Sequence, residues 1–438
     1  MCGLRIWRGR LVRIKRNKEA VFGYYIYKVK NKGVVIIVFL AFIAVLGCIV
    51  VNHYDSMRYD LDYGLPQVRL EFPLRADTLS RDYWIEKCKA EVVDADGFRR
   101  TATMDVNVKG RGNSTFAQPK RPYNIKLEEP LSLLGLPSRK RYVLLANFFD
   151  HSLMRNALAF EVARRTSLAP TTPKGCYVEL VVNGESQGVY YLCERAKDMV
   201  SKESILLEFD TYAYDEDKIV FKTKRNGLPV SVRNPDNLPK PLRKKMELLV
   251  NSLDSLPSEH VDLQSFVDYF IVQELCQNGE PNGPRSCFVH STSDEQFAAG
   301  PVWDFDLAFN IVGIDAMKEI RPAEFSQYGV RELTPDSFYI AEALWYKDYL
   351  KSPKFVQLLK ERWWVLRPQF ESLTTFVDSL DGLIRKAAVD DQVKWNNMDG
   401  VRYDTCTTYP SAFENLRHVY EERIVKLDSL ITSLSVPL

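Results

Sequence analysis

Between Pro301 and Asn310 the chain reads Pro-Val-Trp-Asp-Phe-Asp-Leu-Ala-Phe-Asn, which sets Asp304 and Asp306 two apart in an otherwise apolar run. Burial explains the apolar residues but not the acids. If the run forms a short strand, both carboxylates point the same way, because side chains alternate across a strand with period two. Two carboxylates on one face repel each other unless a cation lies between them. Oxygen-only ligation of this kind suits a hard divalent ion, magnesium or manganese, and magnesium commonly accompanies phosphate. The motif therefore reads as a metal-nucleotide site built on Asp304 and Asp306. The plainer alternative is that one Asp caps the following turn while the other is solvated.

Two further stretches carry compatible chemistry. In Lys109-Gly110-Arg111-Gly112-Asn113-Ser114-Thr115-Phe116 the glycines let the backbone approach a ligand closely. Successive amides together with Arg111, Gly112 and Asn113 would cradle phosphate, although a tight turn uses the same residues. Pro122-Tyr123-Asn124-Ile125-Lys126-Leu127 places one lysine inside an apolar strand. Lysine is rarely buried without a partner, so Lys126 either snorkels to the surface or neutralises nucleotide phosphates. In the second case an acid must align it, and Glu161 is the best-placed candidate.

The elements that must position these residues divide the chain in two. From Leu65 to about Val230 short alternating or apolar runs between turn signals predict strands, including a hairpin of Tyr177–Val182 and Val189–Cys193 joined across Asn183–Gly188. One helix interrupts them, capped by Asp150 or Ser152, with Leu153, Ala157, Phe160, Glu161 and Arg164 at helical spacing. After the Pro/Asn-rich stretch Arg233–Pro239 the pattern turns helical, over Pro241–Ser255, Leu263–Gln277, Phe338–Leu350, Lys354–Phe370 and Ser411–Leu434. The organisation expected is a basic arm over 1–33, an apolar anchor over 34–51, a β-rich part over 52–234 and a helical part over 235–438.

Charge and hydropathy support that division. The net charge of +2 over 438 residues hides ten cations against one acid, Glu19, between Met1 and Lys32. The remainder is mildly acidic, which argues against a nucleic-acid surface. Val34 to Val51 is an uncharged run of 18 apolar residues directly after the basic arm. Its length and flanking charge predict one span of the inner (cytoplasmic) membrane, with the amino terminus in the cytoplasm and the body periplasmic or extracellular. A lipoprotein anchored at Cys48, after Val45-Leu46-Gly47, is the alternative. Beyond the run, Cys88, Cys176, Cys193, Cys276, Cys287 and Cys406 permit up to three disulfides or remain buried thiols. No C-x-x-C, H-E-x-x-H, P-loop or G-x-S-x-G occurs, which removes zinc ribbons and the commonest hydrolase and NTPase classes. A glycosyltransferase would also use D-x-D, but it needs a doubly wound nucleotide domain ahead of the motif, and the β-rich front half does not provide one.

Taken together, the motifs resemble those of the spore coat protein H type (CotH) kinases. The shared blocks are Arg-Gly-Asn-Ser at 111–114, Pro-Tyr-Asn-Ile-Lys at 122–126 and the run Asn147-Phe148-Phe149-Asp150-His151-Ser152-Leu153-Met154-Arg155-Asn156. They continue through Val182-Asn183-Gly184, Gly188–Glu194 and Trp303-Asp304-Phe305-Asp306. The resemblance implies an α+β fold, two-lobed like an atypical protein kinase. It also implies ATP with Mg2+ or Mn2+, and phosphoryl transfer to Ser or Thr of a protein substrate, secreted or in the envelope. By its logic Lys126 holds phosphates, Asp304 binds metal with help from Asp306, and adenine packs on Tyr191 to Glu194. One block departs. Where the family offers Asn-x-Asp as the catalytic base, this chain reads Asn278-Gly279-Glu280, and Arg285 stands where a second metal-binding amide belongs. A carboxylate displaced by about 1 Å can lose on the order of a hundredfold in rate, so a nucleotide-binding pseudokinase or scaffold is the alternative to a kinase using Glu280.

Overall fold

The computed structural model describes residues 42–43, 59, 61–73, 79–213, 220–236, 239–253, 257, 259–292, 296–309, 335–397 and 404–436. Seven strands form a closed barrel: β1 (Gln67–Glu71), β2 (Ile85–Val93), β3 (Met104–Gly110), β4 (Tyr123–Leu131), β5 (Arg139–Leu145), β6 (Gly175–Val182) and β7 (Glu185–Cys193). Their order is β1-β2-β3-β4-β5-β7-β6, and β1 closes the ring by pairing parallel with β6, Gln67 opposite Glu179. Alternation drives this closure. Val106 and Val108 on β3, Ile125 and Leu127 on β4, and Tyr142 and Leu144 on β5 all point into the barrel, filling it with apolar side chains. The intervening residues face outward, and on β3 to β5 that outer face borders the site.

The expected hairpin is β6–β7, but its turn is tighter than the sequence suggested. Asn183 and Gly184, with φ of 51° and 83°, make a two-residue turn, so β7 already begins at Glu185. Between β5 and β6 lies α1 (Arg155–Arg164). Asp150 accepts from the backbone N–H of Arg155, the first residue of that helix, at 2.8 Å and from that of Ser152, ahead of it, at 3.0 Å.

A second, five-stranded antiparallel sheet follows, built from β8 (Leu206–Phe209), β9 (Phe221–Lys222), β10 (Pro229–Asn234), β11 (Cys287–Ser291) and β12 (Phe297–Ala299) in the order β12-β11-β8-β10-β9. It draws strands from both sides of residue 234, the boundary expected between two parts. Residues 59–438 form one compact unit. The helices are α2 (Lys240–Leu253), α3 (Leu263–Leu275), α4 (Tyr346–Tyr349), α5 (Pro353–Glu371), α6 (Thr374–Trp395) and α7 (Tyr409–Ser433). The architecture is thus mixed α+β, β-rich at the front and helical at the back. Of the helix expected over Phe338–Leu350 only the last turn forms, while α6 was not anticipated. All six described cysteines are free thiols, four of them buried.

The expected membrane span is corrected. Among the described residues no helix is long and apolar enough to cross a membrane. The basic arm, the run 34–51 and Cys48 lie outside the described residues apart from Phe42 and Ile43.

Candidate functional site

A cavity of about 730 Å3 opens beside the end of the barrel, within the usual size of a small-molecule site. Its walls come from the β3–β4 loop, the end of β5, the start of α1, the inner strands of the second sheet described above and the segment after β12. Arg111, Glu280, Asp304 and Asp306 all line it, bringing together residues that lie as far as 195 positions apart in the chain.

The carboxylate pair sits there by a route other than the strand expected. β12 ends at Ala299, and residues 306–309 form a turn rather than a ladder. Asp304 takes a left-handed backbone, φ 69°, which non-glycine residues seldom adopt outside constrained sites. Several bonds hold the segment. The Phe305 N–H donates to Asn156 Oδ1 at 2.9 Å, and the Asn156 amide donates to Asn147 Oδ1 at 3.1 Å. Asn147, itself left-handed at φ 48°, donates to the Leu153 carbonyl at 3.0 Å. Arg155 Nε donates to the Ala308 carbonyl at 3.1 Å, and the Phe309 N–H to the Cys276 carbonyl at 2.6 Å. Trp303 stacks on Phe160 of α1 with ring centroids 5.8 Å apart, and Phe305 meets the same ring edge-on. The start of α1 is therefore the template that shapes the acidic turn.

Charge compensation comes partly from the chain itself. The Arg111 guanidinium lies 5.2 Å from the Trp303 ring centroid. Burial pushes it below the usual range, while Asp304 and Asp306 pull it back up. Ser286 Oγ donates to Asp304 Oδ2 at 3.3 Å. The glycines flanking Arg111 have steric causes: a Cβ on Gly110 would lie 2.1 Å from the Phe116 ring, and Gly112 has φ 77°. Gly112 and Asn113 also line the cavity.

Glu280 begins a single 3-10 turn, Glu280–Asn282, and is 5% exposed. Its N–H donates to Asn278 Oδ1 at 3.2 Å, and Asn282 Nδ2 secures the turn on the Tyr339 carbonyl at 2.9 Å. Arg285 lays its guanidinium over the Tyr212 ring, 3.9 Å from the centroid. Close by is Asp210, at the end of β8, which the sequence reading missed. Burial pushes its carboxyl up to about 6; the Tyr212 and Ser286 amides and Arg285 pull it down, and Glu280 pushes it up. The available signal was an acid directly after the strand Leu206–Phe209, two residues from Glu208 and so at the same alternation as that second acid.

Four expected residues stand apart from the cavity. Lys126 points outward from β4, its Nζ 5.9 Å from the Trp84 ring centroid, and does not line the cavity. Glu161 pairs with Arg164 at 2.7 Å and Arg165 at 2.8 Å on its own helix, not with Lys126. Tyr191 is buried against Tyr177 and Phe160, and Glu194 accepts from Arg139 Nε at 2.7 Å. Their neighbours Arg195, Ala196 and Lys197 line the cavity in their place, facing Val143, Leu145 and Ala146.

Asp304, Asp306, Glu280 and Asp210 all line the one cavity, and carboxylate oxygens are the donors that Mg2+ or Mn2+ prefers. No cluster of three or more His, Cys, Asp or Glu poised to hold a metal ion occurs among the described residues. No curated protein matches the chain. The family model described as CotH kinase protein matches residues 108–427, from the strand that leads into Arg111 to the last turns of α7, and the chain belongs to that family.

Proposed function

We propose that this protein is a two-lobed, kinase-like enzyme that transfers the γ-phosphoryl group of ATP to a Ser or Thr hydroxyl of a protein. The observation that carries the reading is the convergence of Asp304, Asp306, Arg111 and Glu280 on one cavity. Family membership supports kinase-like activity in general. Arg111 and the Gly112–Asn113 backbone would hold phosphates, as arginine and successive amides do elsewhere. Asp304 and Asp306 would bind Mg2+ or Mn2+, which when bound neutralises charge on the phosphates. Val143, Leu145 and Ala146 provide an apolar wall for a base. Glu280 would accept the proton of the attacking hydroxyl as the new O–P bond forms and the bond from the γ-phosphorus to the β–γ bridging oxygen breaks. Its fixed 3-10 turn supports that role.

One observation favours a second reading, a nucleotide-binding module without efficient transfer. Arg285, five residues after Glu280, engages Tyr212 where a metal-binding amide is expected. Radiolabelled ATP with Mg2+ or Mn2+, offered to the wild type, Asp304→Ala and Glu280→Ala, separates the two. Label that appears on protein and vanishes in both variants supports transfer with Glu280 as base. Protection against heating by ATP without any transfer supports the binding module, and no protection removes the nucleotide site.

A further inference from the structure

On the outer face of the barrel, one step beyond the cavity's edge, three cations gather around one indole. Asn124 and Val143 line the cavity and oppose each other on β4 and β5; Lys126 and Arg141 are the next outward-facing pair in the same ladder. Two residues along a strand is about 7 Å, so this pair forms the adjoining row of the same face. Lys126 Nζ and Arg141 Cζ lie 5.9 and 6.0 Å from the Trp84 ring centroid, and Lys109 Nζ, at the cavity's rim, lies 5.1 Å from it. Like charges directly opposite on an antiparallel pair repel, so a fold under no other demand would place an acid at one of them. Among the described residues no acid forms an ion pair with Lys126 or Arg141. The carboxylates whose charge reaches Arg141 are already engaged, Asp198 by Arg195 at 2.6 Å and Asp236 by Lys197 at 2.7 Å, and Arg195 adds a further cation beside Arg141.

We propose that the shelf of Trp84, Lys109, Lys126 and Arg141 receives an acidic stretch of the acceptor polypeptide, carboxylates between Lys126 and Arg141, next to the cavity where the phosphoryl group is delivered. The inference rests on the kinase reading for the identity of the ligand as acceptor, but not for its charge. Arg141 can engage a carboxylate in bidentate fashion, and the indole holds the cationic heads in place by cation–π attraction. Nucleotide phosphates do not need the shelf, because Arg111 and the Gly112–Asn113 backbone already serve the cavity one row away.

The test uses the full chain and a fluorescein-labelled ten-residue peptide of nine Glu and one Ser, followed by anisotropy, beside a matching Lys peptide. The Glu peptide should bind, the Lys peptide should not, and binding should fall steeply with salt. In Lys126→Ala/Arg141→Ala the Kd should rise roughly tenfold or more, while protection of the protein by Mg-ATP against heating is unchanged. An unchanged peptide Kd in that variant overturns the proposal. Loss of ATP protection in the variant with peptide binding intact also overturns it, assigning the shelf to the nucleotide. Binding of anionic lipid vesicles that the variant loses, with no peptide binding, overturns it in favour of a lipid headgroup. If wild-type protein binds the Glu peptide through the shelf yet gains no protection from ATP, the shelf stands and the kinase reading fails.

Discussion

Lys120 and Lys126 lie six residues apart and meet opposite fates. Lys120, on the β3–β4 loop, is fully buried: its Nζ donates to the Val189 carbonyl at 2.6 Å and pairs with Asp391 of α6 at 2.8 Å. Asp391 in turn accepts the Val189 N–H at 2.7 Å. Burial drives Lys120 down and Asp391 up, each toward its neutral form, and each partner opposes that drift. Lys126, on the barrel's outer face, has an indole and another cation for neighbours. A sealed charge is supplied with every bond it needs and clamps the barrel to a helix 271 residues away; a charge left without an acid is available to a ligand. Burial alone would have ranked the two the other way as functional residues.

The contrast can be broken at either end. Lys120→Ala leaves Asp391 buried and uncompensated and should lose about 3–5 kcal/mol of stability by denaturant titration. A loss under about 1 kcal/mol would mean the pair is not sealed. Asp304→Ala should behave in the opposite manner, lowering phosphoryl transfer on the order of a hundredfold or more while its melting temperature stays close to wild type. A large fall in melting temperature would instead make the acidic turn a structural element.

Gly188→Ala probes the sealed pair from the backbone side. Gly188 has φ 83°, and a Cβ there would lie 2.1 Å from Asp391 Oδ2, so a loss of about 2 kcal/mol is expected by the same titration. Equal stability of variant and wild type would show that α6 yields freely at this contact.

Asp210 sharpens the intermediate case, a half-buried acid on the cavity wall. Its folded value of about 6 stands above the ordinary carboxyl value of 3.8, so the folded state holds the extra proton between those values. The associated stability is full below about pH 4 and is lost as pH rises through about 6. Wild type should therefore lose about 2 kcal/mol relative to Asp210→Asn between pH 4 and 7, measured in metal-free buffer. Parallel curves would assign the acid an ordinary, solvated environment. The smallest effect belongs to Lys126→Ala, which should change stability by less than about 0.5 kcal/mol. A larger loss would show that the shelf contributes to the barrel.

Much of this was readable from the chain. Period-two alternation marked the front half as β-rich, Asn183-Gly184 marked the hairpin, and the acids at 304 and 306 line the cavity. The helix α6 was passed over because its apolar positions, Val377, Leu380, Ile384 and Ala388, share the inward face with the buried acids Asp381 and Asp391. Those acids look solvated until their partners, Arg385 and Lys120, are seen. Lys126 and Glu161 were joined on the precedent of a kinase ion pair, but arginines one turn further along α1 take the Glu161 carboxylate first.

What the sequence determined by itself is local: which residues alternate, where turns fall, which motifs assign the family, and that an acid pair needs positive charge. Tertiary structure decided which cation answers which acid. Arg111 faces Asp304 and Asp306, Asn156 holds the Phe305 amide, and Lys120 is sealed by Asp391, across separations of 149 to 271 residues in the bonded cases. Periodicity reports the face a side chain occupies, not what lies opposite that face once the barrel closes and the helices pack. The electrostatic role of each charge depends on that opposite surface.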